Sequence, residues 1–240
     1  MNAELQQTIR AVLFDVFGTV VDWRSGVIAE LAAFGQVTGV AADWTAVADD
    51  WRSRYQPAME DVRSGRRPFV PLDTLHRESL DAIFAERGIG ATEAERDQLT
   101  LAWHRLDPWP DVVDGLARLR TRFTVGTLSN GNTMLLENMA ARAGLPWDVV
   151  LGAQVAGAYK PLPRAYLGSV ERLGHRAEHV MLAAAHNADL GAASALGLRT
   201  AFISRTTEHG PGQTTDLVAE GPWDFVARDV NHLAELLGCP

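Results

Sequence analysis

In Ala11-Val-Leu-Phe-Asp15-Val16-Phe17-Gly18-Thr19, a run of apolar, strand-forming residues delivers one carboxylate, and a Gly-Thr turn follows at once. Ligands of α/β sheets bind at strand ends, so Asp15 is expected at the mouth of a crevice. Thr127-Leu-Ser129-Asn130-Gly-Asn132 ends a second apolar run. A hydroxyl and an amide there, with free backbone N–H groups, can bind an anion; the same residues can also simply cap the next helix. A third run, His179 to Ala184, leads to His186, Ala188 and Asp189. An acid beside an imidazole suits proton transfer, although a lone histidine serves equally as a structural hydrogen-bonder.

Two cations stand out. The chain has 22 Lys plus Arg, and Lys160 is its one lysine. Arginine-biased composition explains the arginines but not the surviving lysine, and a compact ammonium beside a carboxylate cannot be replaced by a guanidinium. Arg52 lies at the edge of an apolar helical stripe, as either a snorkelling surface arginine or an anion receptor. Tyr166 follows Lys160 by six residues, in a segment where it could pack a helix on a sheet.

Together these motifs resemble those of the haloacid dehalogenase superfamily, and in particular of the (S)-2-haloacid dehalogenases. The resemblance covers about residues 10 to 237. It implies that Asp15 is a nucleophile, held by Thr19 and Lys160. It also implies that Ser129 and the N–H groups of Val16 and Phe17 bind a substrate carboxylate, that Arg52 and Asn130 receive a halide, and that Tyr166 joins the binding site. Asp189, with His186 as a candidate partner, would orient water. The phosphatases of this superfamily carry a second aspartate where this chain has Phe17. An apolar ring cannot protonate a leaving alkoxide, whereas a halide leaves without a proton. The expected activity is therefore hydrolysis of short (S)-2-haloacids and haloacetates, with fluoroacetate among the candidates, through an ester on Asp15, with no metal and no cofactor. The fourth motif departs from the dehalogenase pattern: Ala184, His186 and Ala188 stand where a serine, an asparagine and a tryptophan are expected. Two rivals follow: a magnesium-dependent phosphatase using Asp15 and Asp189, and a catalytically silent binding protein.

The elements that must position these groups alternate from about residue 108 onward. Helices are expected over 112–122, 133–143, 164–173 and 190–196, and a last helix runs to Leu237. Strands are expected over 123–128, 148–151, 179–184, 200–203 and 223–226. Such alternation predicts a Rossmann-like parallel sheet with helices on both faces. Residues 23–107 read as helices instead. Trp44, Val47, Ala48, Trp51 and Tyr55 keep one helical stripe, Leu72 to Phe84 another, and Thr92 caps a third ahead of Glu95. The expected organisation is thus a core of 1–22 and 108–240 with a helical cap of 23–107. Residues 205–215 read as a mobile loop.

With 240 residues, 47% of them hydrophobic, the chain can bury a substantial core. A net charge of −8 argues against nucleic acid or an anionic membrane as partner. The lone cysteine, Cys239, excludes an intrachain disulfide. No secretory signal and no apolar run long enough to span a bilayer is evident, so a cytoplasmic protein is expected, and the resemblance adds a possible homodimer.

Overall fold

A computed structural model describes residues 2–240. Helix α1 (Asn2–Thr8) precedes β1 (Ala11–Phe14), whose four residues are all buried, as a strand covered on both faces requires. After β1 come α2 (Trp23–Thr38), α3 (Trp44–Ser53), α4 (Tyr55–Arg63), α5 (Leu72–Arg87), α6 (Glu93–Thr100) and a 3₁₀ turn, Leu101–His104. The rest alternates: α7 (Val112–Leu119), β2 (Thr124–Thr127), α8 (Thr133–Ala143), α9 (Ala153–Ala156), α10 (Pro163–Arg172), β3 (Val180–Ala184), α11 (Asn187–Ala195), β4 (Arg199–Ile203), β5 (Phe225–Ala227) and α12 (Val230–Leu236).

The five strands form one parallel sheet in the order β2-β1-β3-β4-β5. β1 lies between β2 and β3, where the strand order reverses, and such a reversal opens the crevice that α/β proteins use for ligands. Phe14 stands level with Thr127 of β2 and Ala183 of β3, so all three chains leave the sheet side by side. Alternate residues of β1 serve two apolar clusters. Val12 and Phe14 join the cluster that continues through Trp23, Trp51 and Trp103, while Ala11 and Leu13 pack with Tyr166, Leu182 and Leu190. The helical segment leaves and rejoins the sheet domain at adjacent points, where Asp22 N–H donates to the Asp107 carbonyl (3.1 Å) and Trp109 N–H to that of Val20 (3.0 Å).

Four sequence expectations need correction. The stripe from Trp44 to Tyr55 is two helices broken at Arg54, because Pro57 has no N–H for the Ser53 carbonyl. The segment 148–151 is no strand. Its bonds to β2 run partly through side chains, Val125 N–H to Asp148 Oδ2 (2.9 Å) and Leu151 N–H to Thr127 Oγ1 (2.9 Å), and only isolated bridges remain. The helix read from Leu190 starts at Asn187, so Asp189 lies in its first turn. Finally, 205–215 is anchored rather than free: Arg205 and Glu208 are buried, and Arg205 pairs with Asp111 at 2.7 and 2.8 Å. The Thr92 capping box with Glu95 is present as expected. Among the described residues no helix is long and apolar enough to cross a membrane.

Candidate active site

Asp15 follows directly on β1, and its backbone N–H still bonds to Ala183 (3.0 Å), so the carboxylate is fixed at the sheet's edge. Its Oδ2 accepts from Thr19 Oγ1 (2.8 Å), and that hydroxyl accepts in turn from the N–H of Ala185 (2.9 Å). Lys160 Nζ donates to Asp15 Oδ1 (3.0 Å) and to Asp189 Oδ2 (2.5 Å). Tyr166 OH donates to the other oxygen of Asp189 (2.6 Å). Four separate elements therefore converge on one carboxylate pair bridged by one ammonium.

Burial would push the Asp15 carboxyl up, but the Lys160 charge and then the His186 contact outweigh it and hold it well below the usual carboxylate range. Lys160 shows the converse: burial opposes its charge, and Asp15 and Asp189 raise it above the ordinary lysine value. Burial, reinforced by Asp189, keeps Tyr166 a phenol. Asp15 is thus an ionised carboxylate in a largely water-excluded place, which is what a nucleophile at carbon needs.

His186 lies between two carboxylates. Its Nδ1 is 3.1 Å from Asp15 Oδ2 and its Nε2 is 2.9 Å from Glu208 Oε2. Glu208, only 1% exposed, also accepts from Trp23 Nε1 (2.9 Å) and approaches Arg52 Nη2 at 4.0 Å. Gly18 makes room for it, since a Cβ there would meet Glu208 Oε1 at 2.1 Å. Glu208 was absent from the sequence expectations. It sits in a stretch with loop composition, and its partners Trp23 and His186 are 185 and 22 residues away, so no local pattern announces it.

Asp15, Phe17, Arg52, Asn130, Lys160, Tyr166, His186, Ala188 and Asp189 line a single cavity of about 660 Å³, with Tyr55 and Arg63. Arg52 lies over Tyr55, its guanidinium carbon 4.2 Å from the ring centre, and its buried Nη1 has no hydrogen-bond partner among the described residues. Asn130 Oδ1 accepts from the Lys160 N–H (2.8 Å), so one residue both lines the cavity and fixes the lysine's backbone. The Phe17 ring turns edge-on to Trp103 and Tyr55 at 5.7 and 6.4 Å. The cavity wall does not include Ser129 or Val16. Ser129 is fully buried below it and accepts from the Gly131 N–H (3.1 Å), which binds it into its own turn. Val16 is likewise buried by side chain, though neither its N–H nor that of Phe17 donates to any described residue. Ala184 is buried within β3.

The parallel sheet thus carries a helical insertion after its first strand and a buried carboxylate–lysine–carboxylate array beyond its strand ends. The family model of haloacid dehalogenase-like hydrolases matches residues 9–197, and the chain belongs to that family. An (S)-2-haloacid dehalogenase 1 from Pseudomonas sp. (strain CBS-3) is 31% identical over 82% of this chain and 85% of that protein. Among solved structures, a defluorinating L-2-haloacid dehalogenase is 51% identical, with a TM-score of 0.95 and 96% of each chain covered. Another L-2-haloacid dehalogenase is 48% identical, with a TM-score of 0.94 over 96% of this chain and 99% of the other.

Proposed function

We propose that this protein is a hydrolytic dehalogenase that converts short (S)-2-haloacids, haloacetates included, to 2-hydroxy acids through an ester on Asp15. One observation carries this reading: a buried, ionised Asp15 shares the Lys160 ammonium with Asp189, and Phe17 stands where a proton donor for an alkoxide would be needed. Phe17 lines the cavity with an apolar ring that cannot protonate a leaving alkoxide, which disfavours the phosphatase rival. Support for the substrate class comes from relatives named as dehalogenases of (S)-2-haloacids.

In this mechanism the substrate carboxylate takes the open N–H groups of Val16 and Phe17. Ser129 acts from beneath, holding the turn that presents Asn130. Asp15 Oδ1, with Lys160 as its one partner, attacks the halogen-bearing carbon from the side opposite the halide and inverts that centre. The departing halide meets the unpartnered Arg52 N–H and the Asn130 amide, a cationic, water-poor cradle for developing charge. Water then attacks the ester's carbonyl carbon. Thr19 donates to Oδ2 as that oxygen gains charge, while Lys160, oriented by Asp189 and Tyr166, neutralises the returning carboxylate. Fluoroacetate belongs among the candidate substrates, because one of the similar structures is of a defluorinating enzyme.

The same proposal includes the division into a core of 1–22 and 108–240 and a cap of 23–107, a homodimer and a cytoplasmic location. Limited proteolysis, sedimentation and cell fractionation test these three. The activity is tested by incubating the protein with fluoroacetate, chloroacetate and L-2-chloropropionate in EDTA and measuring halide, with Asp15→Asn as control. Halide release that survives EDTA and disappears in the variant supports the proposal. Magnesium-dependent release of phosphate from phosphate esters, without halide release, would replace it with the phosphatase rival.

A further inference from the structure

His186 faces an ionised carboxylate at each ring nitrogen, and a carboxylate can only accept hydrogen bonds. Were either nitrogen unprotonated, its lone pair would point at a carboxylate oxygen about 3 Å away and the contact would be repulsive. Both nitrogens therefore carry protons, and His186 rests as an imidazolium between Asp15 and Glu208. In that form it cannot act as a base. The arrangement changes when Asp15 becomes an ester, because one of the two negative charges that hold the cation disappears while the other remains.

We propose that Glu208 is a positioning residue that holds His186 in register, and that esterification of Asp15 itself converts His186 from a resting cation into the base for ester hydrolysis. This rests on the dehalogenase reading of the site. The atoms balance as follows. Attack by Asp15 forms the O–C bond and expels halide with its electron pair. The imidazolium, having lost its Asp15 partner, gives its Nδ1 proton to solvent and keeps its Nε2–H on Glu208. Water then adds to the ester carbonyl carbon, and its proton passes to Nδ1. The ester C–O bond of the acyl carbon breaks, the hydroxy acid leaves after protonation of its alkoxide by a second water-derived proton, and Asp15 and the imidazolium are restored. The sum is haloacid plus water giving hydroxy acid, halide and one proton. The order is the new element: the net proton leaves with the halide, ahead of the hydroxy acid.

The surrounding groups favour such a switch. Burial opposes charge on His186, but Glu208 and Asp15 together raise it well above the ordinary imidazole range, and removing Asp15 from that sum leaves burial opposed by Glu208 alone. The other charges nearby pair with these two, and His209 also acts on His186 directly. Lys160 is paired with Asp15 and Asp189, and Arg52 and His209 approach Glu208 at 4.0 and 3.5 Å. Asp216 lines the same cavity, and Tyr166 remains a neutral phenol on Asp189. Glu208 is itself fixed, by Trp23 Nε1 and by contact with the bare Cα of Gly18, so the imidazole has a rigid anchor at Nε2 while Nδ1 changes partner.

The test is a single turnover of chloroacetate by the whole protein in weak buffer with a pH indicator, with chloride and glycolate followed in quenched samples. One proton per active site is expected to appear with the chloride and before glycolate. A proton that appears only with glycolate overturns the inference and leaves the dehalogenase reading intact, whereas absence of chloride release from every haloacid overturns both. Glu208→Gln keeps the shape and the carbonyl acceptor but removes the charge. Its ester on Asp15 is expected to hydrolyse slower by about tenfold or more, to be visible by intact mass, and to show a shifted pH profile, with partial rescue in Glu208→Asp. Ester hydrolysis by Glu208→Gln at the wild-type rate, with an unchanged pH profile, would overturn the role of Glu208.

Discussion

Asp15 and Asp189 share the Lys160 ammonium at 3.0 and 2.5 Å, and the lysine is 7% exposed. Removing the cation would leave two carboxylates facing each other with no counter-charge, a loss of about 3–5 kcal/mol for a broken buried pair. Lys160→Met is therefore expected to lower unfolding stability by that order in urea titration, and to release no halide. Arg52 makes a different contribution, a cation over the Tyr55 ring whose buried Nη1 is left without a partner. Arg52→Ala is expected to slow the chloride burst by about 10²–10³, as for loss of one preorganised donor to developing negative charge. Arg52→Lys should recover only part of this, since an ammonium neither stacks as a plane nor reaches in two directions. Rapid-quench measurement of chloride checks both variants. Asp15, Lys160 and Asp189 were readable from sequence because Asp15 follows a strand directly, Asp189 opens the helix after another, and Lys160 is the one lysine. Glu208 was not, because its burial is decided by where a distant loop folds back.

At the scale of elements, the turn after β1 has two separate duties. Gly18 adopts φ +88, a region costly for residues with a Cβ, and its face is filled by the Glu208 carboxylate. Gly18→Ala is expected to lose at least about 1–3 kcal/mol from backbone strain alone and to displace Glu208 from His186. Thermal melting and the His186 ring signals in NMR would show the two effects separately. A second contact joins α5 to the start of α8: Asn132 Nδ2 donates to Asp73 Oδ2 (2.8 Å), and His104 Nε2 lies 3.1 Å from Asp73 Oδ1. Sequence periodicity gave α5 and the Thr92 cap correctly, since both are local. It ran α3 and α4 together because their apolar stripe is continuous across Arg54 while the hydrogen-bond ladder is not. It also read 148–151 as a strand, since apolar composition does not reveal that side chains replace ladder bonds.

Over the whole molecule, the order β2-β1-β3 brings four distant segments to one point, and the same convergence makes stability depend on pH. His186 is raised above its ordinary value of 6.5, so its contribution is complete below 6.5 and is lost as pH rises toward its folded value. Asp15 and Glu208 are lowered from 3.8 and 4.5, so their contributions are present above those values and are lost as pH falls through the folded ones. The melting temperature of the wild type is expected to exceed that of His186→Asn most at about pH 5–6.5, with the gap narrowing as pH rises further. A gap that stays constant to pH 9 would contradict the paired imidazolium. The alternation that predicted the parallel sheet holds from about residue 108 onward because it arises from burial on both faces. The anchoring of the loop 205–215, through Arg205 on Asp111 and Glu208 on His186, is a tertiary event with no such periodic trace.

The most direct test of the account is a single turnover of chloroacetate in H₂¹⁸O with enzyme in excess. A covalent ester predicts unlabelled oxygen in the newly formed hydroxyl of glycolate and one ¹⁸O in the Asp15 carboxylate, found by mass spectrometry of the peptide that carries it. Label in the glycolate hydroxyl and none in Asp15 would mean that water attacks the substrate directly, and would contradict Asp15 as the nucleophile.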